Sequence, residues 1–150
     1  MRYFWSMLIC FSPIALLAQP NVVEWTFEVN KTDDQSYEIT ITGDIDKGWY
    51  VYSQYLNDDE GPIPTSVNFE EQAGYNLVDK AEESGNKIEG YDNIFMMEIT
   101  KYKEKFVITQ KIELTEKIDQ LSGYLEFMAC DEEQCLPPKQ LNFTVNFYSL

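Results

Sequence analysis

Two cysteines close together near the end of the chain, Cys130 and Cys135, are the residues here whose type and spacing most suggest chemistry. They stand in the string MACDEEQCLPP, separated by four residues, three of them acidic. A paired dithiol of this kind either staples a fold or exchanges electrons, by thiolate attack through a mixed disulfide. Spacing alone leaves both readings open. The staple has little to gain: closing about six residues is worth roughly 2 kcal/mol, against about 3 for fifteen. The loop holds Asp131, Glu132 and Glu133 and no Lys, Arg or His. Nearby negative charge disfavours a thiolate, so both thiols are expected to be sluggish nucleophiles. If the pair transfers electrons, a partner must activate it on docking or supply the attacking thiolate.

Most other chemistries are excluded by composition. The sequence has 0 His, which removes the commonest general base and metal ligand together. A net charge of −15 repels nucleic acid and anionic lipid, so neither is expected as a partner. Met96, Met97 and Met128 with the two cysteines would suit a soft cuprous ion. Methionine in a β core is far more often packing, and no metal site is expected.

The first eighteen residues differ from the rest. Arg2 is their only charge, an apolar run from Met7 to Leu17 follows, and the segment ends in LLAQP. This reads as a secretory signal peptide (residues 1–18) cleaved near Ala18. The run is shorter than the ~20 apolar residues of a membrane span, so no stable membrane anchor is expected after cleavage. Cleavage removes Cys10 and leaves Cys130 and Cys135 alone in an oxidising compartment, where pairing is expected.

The remainder, residues 19–150, is long enough for one domain with its own core. Strand-like alternation recurs through it. Val22–Asn30, Ser36–Thr42, Lys105–Leu114, Leu121–Cys130 and Lys139–Tyr148 read as strands, and WYVYSQYL as an aromatic one. SVNFEE, YNLVD and NKIEGY are weaker candidates, Gly43–Gly48 reads as a turn, and Asn57–Thr65 as a loop. EKIDQL is at most one helical turn. Eight or nine short strands with frequent turns predict an all-β fold, an immunoglobulin-like β-sandwich, with a barrel as the alternative. The cysteines then flank a hairpin tip, since Pro137 and Pro138 cannot continue a ladder.

With the cysteine string, the segment KGWYVYSQYL and the final strand in this order, the chain resembles the N-terminal (alpha) domain of the thiol:disulfide interchange protein DsbD, from about Val22 to Tyr148. The strongest matching parts are Gly48–Tyr52 and Cys130–Pro138. The resemblance implies an immunoglobulin-like fold and a periplasmic domain. That domain takes electrons from a thioredoxin-like partner and passes them to substrate oxidoreductases, with no cofactor beyond the cysteine pair. It implies that Cys135 forms the mixed disulfide and Cys130 resolves it. Tyr50 and Tyr52 would line the active-site pocket, where cross-strand packing is their plainer reading. The stretch YDNIFMMEI would supply a cap loop, with Asp92 in the pocket and Phe95 or Ile94 as the cap. Its plainer reading is a strand with a buried Phe. The cysteine spacing is one residue shorter than in the best-known members. These 150 residues hold neither a membrane electron-transfer domain nor a thioredoxin-like one. The expected reductant is therefore a thioredoxin-like protein or a membrane electron-transfer protein on another chain. The rival function is an immunoglobulin-like binding module with a purely structural disulfide.

Overall fold

A computed structural model describes residues 20–56 and 61–147. The signal-peptide reading and Cys10 lie outside the described residues, as do residues 57–60 of the expected loop. Nine strands form among the described residues: β1 (Val23–Lys31), β2 (Ser36–Ile45), β3 (Tyr50–Tyr52), β4 (Ser66–Phe69), β5 (Tyr75–Asp92), β6 (Met97–Leu114), β7 (Gln120–Phe127), β8 (Ala129–Cys130) and β9 (Lys139–Asn146). One sheet runs β1-β2-β6-β3-β8, with β5 also paired to β6; the other runs β4-β7-β9. All pairings are antiparallel. This is the expected immunoglobulin-like β-sandwich.

Alternation decides which side chains meet between the sheets. β2 turns in Tyr37, Ile39, Ile41 and Ile45; β7 turns in Leu121, Leu125 and Phe127; β9 turns in Phe143 and Val145. Phe27 stacks on Phe143 with centroids 4.6 Å apart, and Trp25 tilts on Phe127 at 5.3 Å. Each fully buried side chain of this size contributes roughly 1.5–3 kcal/mol.

Several strand boundaries differ from the sequence reading. YNLVD and NKIEGY are not separate strands but parts of β5, which follows β6 through two irregularities, between Val78 and Glu82 and between Gly85 and Lys87. Charged residues at the irregularities interrupt the alternation, so the join was invisible. At the second one Gly85 has φ 123°, and a Cβ there would lie 2.2 Å from the Lys105 carbonyl oxygen. Only glycine fits that approach. Leu121–Cys130 is not one strand: β7 ends at Phe127, and β8 joins the other sheet. Residues 127–130 are all buried, because a chain crossing between two sheets has no solvent side. WYVYSQYL contributes only Tyr50–Tyr52 to a sheet, and its neighbour Ser53 is held by Glu83 of β5, whose Oε2 accepts the Ser53 hydroxyl at 2.6 Å. The expected turn at Gly43–Gly48 starts later, since β2 continues to Ile45; Gly48, at φ 93°, makes the bend that delivers β3.

β6 positions the site. Its first part pairs with β3 through Lys101–Lys103 and its second with β2 through Lys105–Glu113, while β5 runs along it as well. The changeover falls at Glu104, in the left-handed region with φ 60°.

Candidate redox site

The short strand β3 has two buried faces. Val51 points into the main core with Tyr102 and Ala129. Tyr50 and Tyr52 point the other way and build a second cluster with Ile99, Met128 and Cys130. Register explains the grouping. Tyr50 lies opposite Cys130 of β8 on one side and Lys103 of β6 on the other, and Tyr52 lies opposite Lys101. Directly paired residues share a face of a sheet. The same periodicity along β6 adds Ile99, and across the β5–β6 ladder it adds Asp92, opposite Met97.

Cys130 and Cys135 form a disulfide with Cα atoms 4.0 Å apart. They face each other as a lone antiparallel bridge. The flanking backbone bonds run from Leu136 N to Ala129 O and from Asp131 N to Gln134 O, both 2.9 Å. The cysteines thus occupy the non-hydrogen-bonded position, where side chains come closest. The hairpin tip is as expected, but its arms are not a pair of long neighbouring strands: after Cys135 the chain leaves for β9 in the other sheet.

The acidic loop is ordered by its own first residue. Asp131 Oδ1 accepts the amides of Glu133 and Gln134, each at 2.8 Å, and these bonds hold its carboxyl below the ordinary range. The Tyr50 hydroxyl donates to the Asp131 carbonyl at 2.8 Å, tying β3 to the inter-cysteine loop. Lys103 Nζ meets Glu132 Oε1 at 3.0 Å. The loop itself carries no cation, but β6 brings one to it.

The β5–β6 turn forms the opposite wall. Asp92 Oδ1 accepts the amides of Ile94 at 2.9 Å and Phe95 at 3.2 Å. Asp92 Oδ2 pairs with Lys101 Nζ at 3.1 Å. Burial alone would push this carboxyl up; the Lys101 ammonium and the two amides outweigh it, and the net position is below the usual 3.8. Phe95 packs edge-on against Tyr52 with centroids 5.9 Å apart, and Tyr52 likewise against Tyr50 at 5.6 Å. Phe95, Met97, Leu56 and Cys135 close the cluster around the buried residues. Ile94 is 38% exposed and outside it, so of the two cap candidates it is Phe95 that packs there. Burial, and next the charge of Asp92, push the Tyr50 phenol up to about 12. Burial also pushes Tyr52 up, followed by the neighbouring Tyr50 and Asp92. The fully buried Tyr52 hydroxyl has no hydrogen-bond partner of ordinary geometry among the described residues.

The sequence reading singled out residues that the structure places together in part: Cys130, Cys135, Tyr50, Tyr52, Asp92 and Phe95 share one cluster or touch it, and Ile94 does not. It missed Lys101, Lys103, Ile99 and Leu56. Of the three methionines, Met128 and Met97 pack in the cluster, while Met96 is 74% exposed. Among the described residues no group of three or more His, Cys, Asp or Glu is arranged to hold a metal ion.

A β-sandwich that sets one intramolecular disulfide among aromatic side chains, beside a turn bearing a Phe, has the architecture of a thiol–disulfide exchange module. The chain belongs to the family of the thiol:disulfide interchange protein DsbD, N-terminal, which matches residues 16–146. It is similar to the DsbD N-terminal domain of Neisseria meningitidis in the reduced form, with 16% identity, a TM-score of 0.57, and 88% of this chain and 90% of that one covered. It is also similar to the N-terminal periplasmic domain of ScsB from Proteus mirabilis, with 15% identity, a TM-score of 0.63, and 87% of this chain and 49% of that one covered. At these identities the likeness shows the shared fold. No curated protein matches the chain. No helix among the described residues is long and apolar enough to cross a membrane.

Proposed function

We propose that this domain works in the periplasm, after export by the segment 1–18, as an electron relay between a thioredoxin-like donor and substrate oxidoreductases. The observation that carries the reading is an asymmetry within the disulfide. Cys130 is 0% exposed, whereas Cys135 is only partly buried. An incoming thiolate therefore reaches the Cys135 sulfur first.

The donor's thiolate attacks Cys135 Sγ, the Cys130–Cys135 bond breaks, and Cys130 leaves as a thiolate that takes up a proton. The donor's second thiolate then attacks its own sulfur in the mixed disulfide and releases Cys135. Two electrons and two protons have moved from the donor dithiol to the pair, and the donor is left as a disulfide. Delivery to an acceptor runs in reverse: Cys135 attacks the acceptor disulfide, and Cys130 resolves the mixed disulfide. Tyr50 and Tyr52 line the pocket and stay neutral at physiological pH. Asp92 holds the turn that places Phe95 as a cap, which a docking partner displaces.

Trapping tests the roles. Cys130→Ser should accumulate a mixed disulfide with a thioredoxin-fold protein through Cys135. Accumulation in Cys135→Ser instead would reverse the assignment.

A further inference from the structure

The lysine at the centre of the cluster has no part in the reading so far. Lys101 is 9% exposed and Asp92 2%, so neither charge is held in water. A buried ammonium persists only when paired and well surrounded. Lys101 Nζ has two neighbours: Asp92 Oδ2 at 3.1 Å, and the face of the Tyr50 ring at 3.8 Å from its centroid. Each leads to a different wall of the site. Through Asp92 the ammonium reaches the amides of Ile94 and Phe95. Through Tyr50 it reaches the carbonyl of Asp131, next to Cys130. Asp92 also touches the Tyr50 wall directly, its Oδ2 lying 3.5 Å from the Tyr50 hydroxyl, the long limit of a hydrogen bond; among the described residues Lys101 is the cation that meets both Asp92 and the Tyr50 ring. Lys103 lies 5.5 Å from the same ring but pairs outward with the exposed Glu132.

We propose that Lys101 is a positioning residue for disulfide exchange, a charged latch that keeps the Phe95 turn and the Tyr50-anchored cysteine loop in one closed arrangement. The proposal rests on the relay reading of the site and adds what governs access to it. A small reductant reaches the disulfide of the free domain only when the turn opens, and the latch sets how seldom that happens. A partner that docks must loosen the Lys101 contacts to expose Cys135.

Charged and titratable groups from every surrounding element bear on the latch: Asp92 from β5, Tyr50 and Tyr52 from β3, Lys103 from β6, and Asp131 and Glu132 from the loop. Of these, Asp92 is the one whose buried carboxylate depends on the Lys101 ammonium. Without it, burial is opposed by the two amides and the longer Tyr50 contact alone, and the carboxyl titrates higher.

The test is the rate at which tris(2-carboxyethyl)phosphine reduces the disulfide, taken as a ratio to wild type over a range of pH. Lys101→Met should be reduced about tenfold faster, a difference of about 1.4 kcal/mol in the opening equilibrium. Its ratio should also show a titration step above the ordinary carboxylate range. Lys101→Arg should restore the wild-type rate and a flat ratio, and Lys103→Met, which loses the outward pair with Glu132, should change the rate less than Lys101→Met and add no step. If Lys101→Met fails to fold, the neutral pair Asp92→Asn/Lys101→Met avoids a lone buried charge; it should be reduced faster than wild type without a step. A wild-type rate in folded Lys101→Met or in the neutral double variant, or an equal acceleration in Lys103→Met, would overturn the latch. These rates involve no partner protein, so they stand or fall apart from the trapping result that tests the relay.

Discussion

Tyr50 and Cys130 are direct partners across the β3–β8 pairing, and the Tyr50 hydroxyl donates to the carbonyl of the residue that follows Cys130. The aromatic strand and the cysteine loop are thereby one unit. Removing the hydroxyl should test that unity. Tyr50→Phe leaves the Asp131 carbonyl without its donor and should cost about 1 kcal/mol in denaturant unfolding. The same variant should be reduced faster by a small phosphine, since the loop has lost an anchor.

Phe95 and Ile94 are neighbours with opposite placements, one packed on Tyr52 and one exposed. Phe95→Ala should increase the rate of disulfide reduction severalfold. Its stability cost should be about 1–2 kcal/mol, below the 3–5 of a fully buried Phe. Ile94→Ala should change neither quantity. Equal effects from the two would show that the turn does not shield the disulfide through Phe95.

Asp92 gives a pH dependence with a defined sign. Its folded carboxyl lies below the ordinary 3.8, so its contribution to stability is fully present above that value. It is lost as pH falls below 3.8 through the lowered folded value. Denaturant midpoints of wild type and Asp92→Asn should therefore differ by a constant amount at neutral and mildly acidic pH and converge below 3.8. At the alkaline end the sign reverses. Tyr50 is raised from 10.0 to about 12, so its contribution is present below 10.0 and lost as pH rises from there through about 12. Ultraviolet titration should show Tyr50 ionising only well above the exposed tyrosines, or together with unfolding.

Gly85 offers a test of the scaffold rather than the site. Its positive φ and the Lys105 carbonyl leave no room for a Cβ. Gly85→Ala should destabilise the domain by more than about 1 kcal/mol, the ordinary excess for a side chain forced into this backbone region. Gly90 has open space around a Cβ and should tolerate the same change far better.

Much of this architecture can be read from residues alone. Val22–Asn30 and Lys139–Tyr148 alternate cleanly in sequence because the strands they supply, β1 and β9, each have one core face and one wet face. The cysteine pair stood out because cleavage of the N-terminal segment would leave no other thiol. Tyr50 and Tyr52 were harder: on residues alone, cross-strand packing was their plainer reading, and only the family resemblance singled them out. Lys101 and Lys103 were not legible. Their meaning comes from the register between β6 and β3, a pairing of distant segments that local pattern does not encode. The sheet switch at Met128 left a trace, the loss of alternation after Phe127, but a run of buried residues reads equally well as the end of one strand.

The central claim is that the Cys130–Cys135 disulfide is exchanged rather than merely structural. Its reduction potential, measured by equilibrating the folded domain in thiol–disulfide buffers, tests this most directly. An exchanged bridge should show a value near or above about −250 mV, within reach of a thioredoxin-like donor; a value well below about −300 mV would contradict exchange and leave a binding module with a structural bridge.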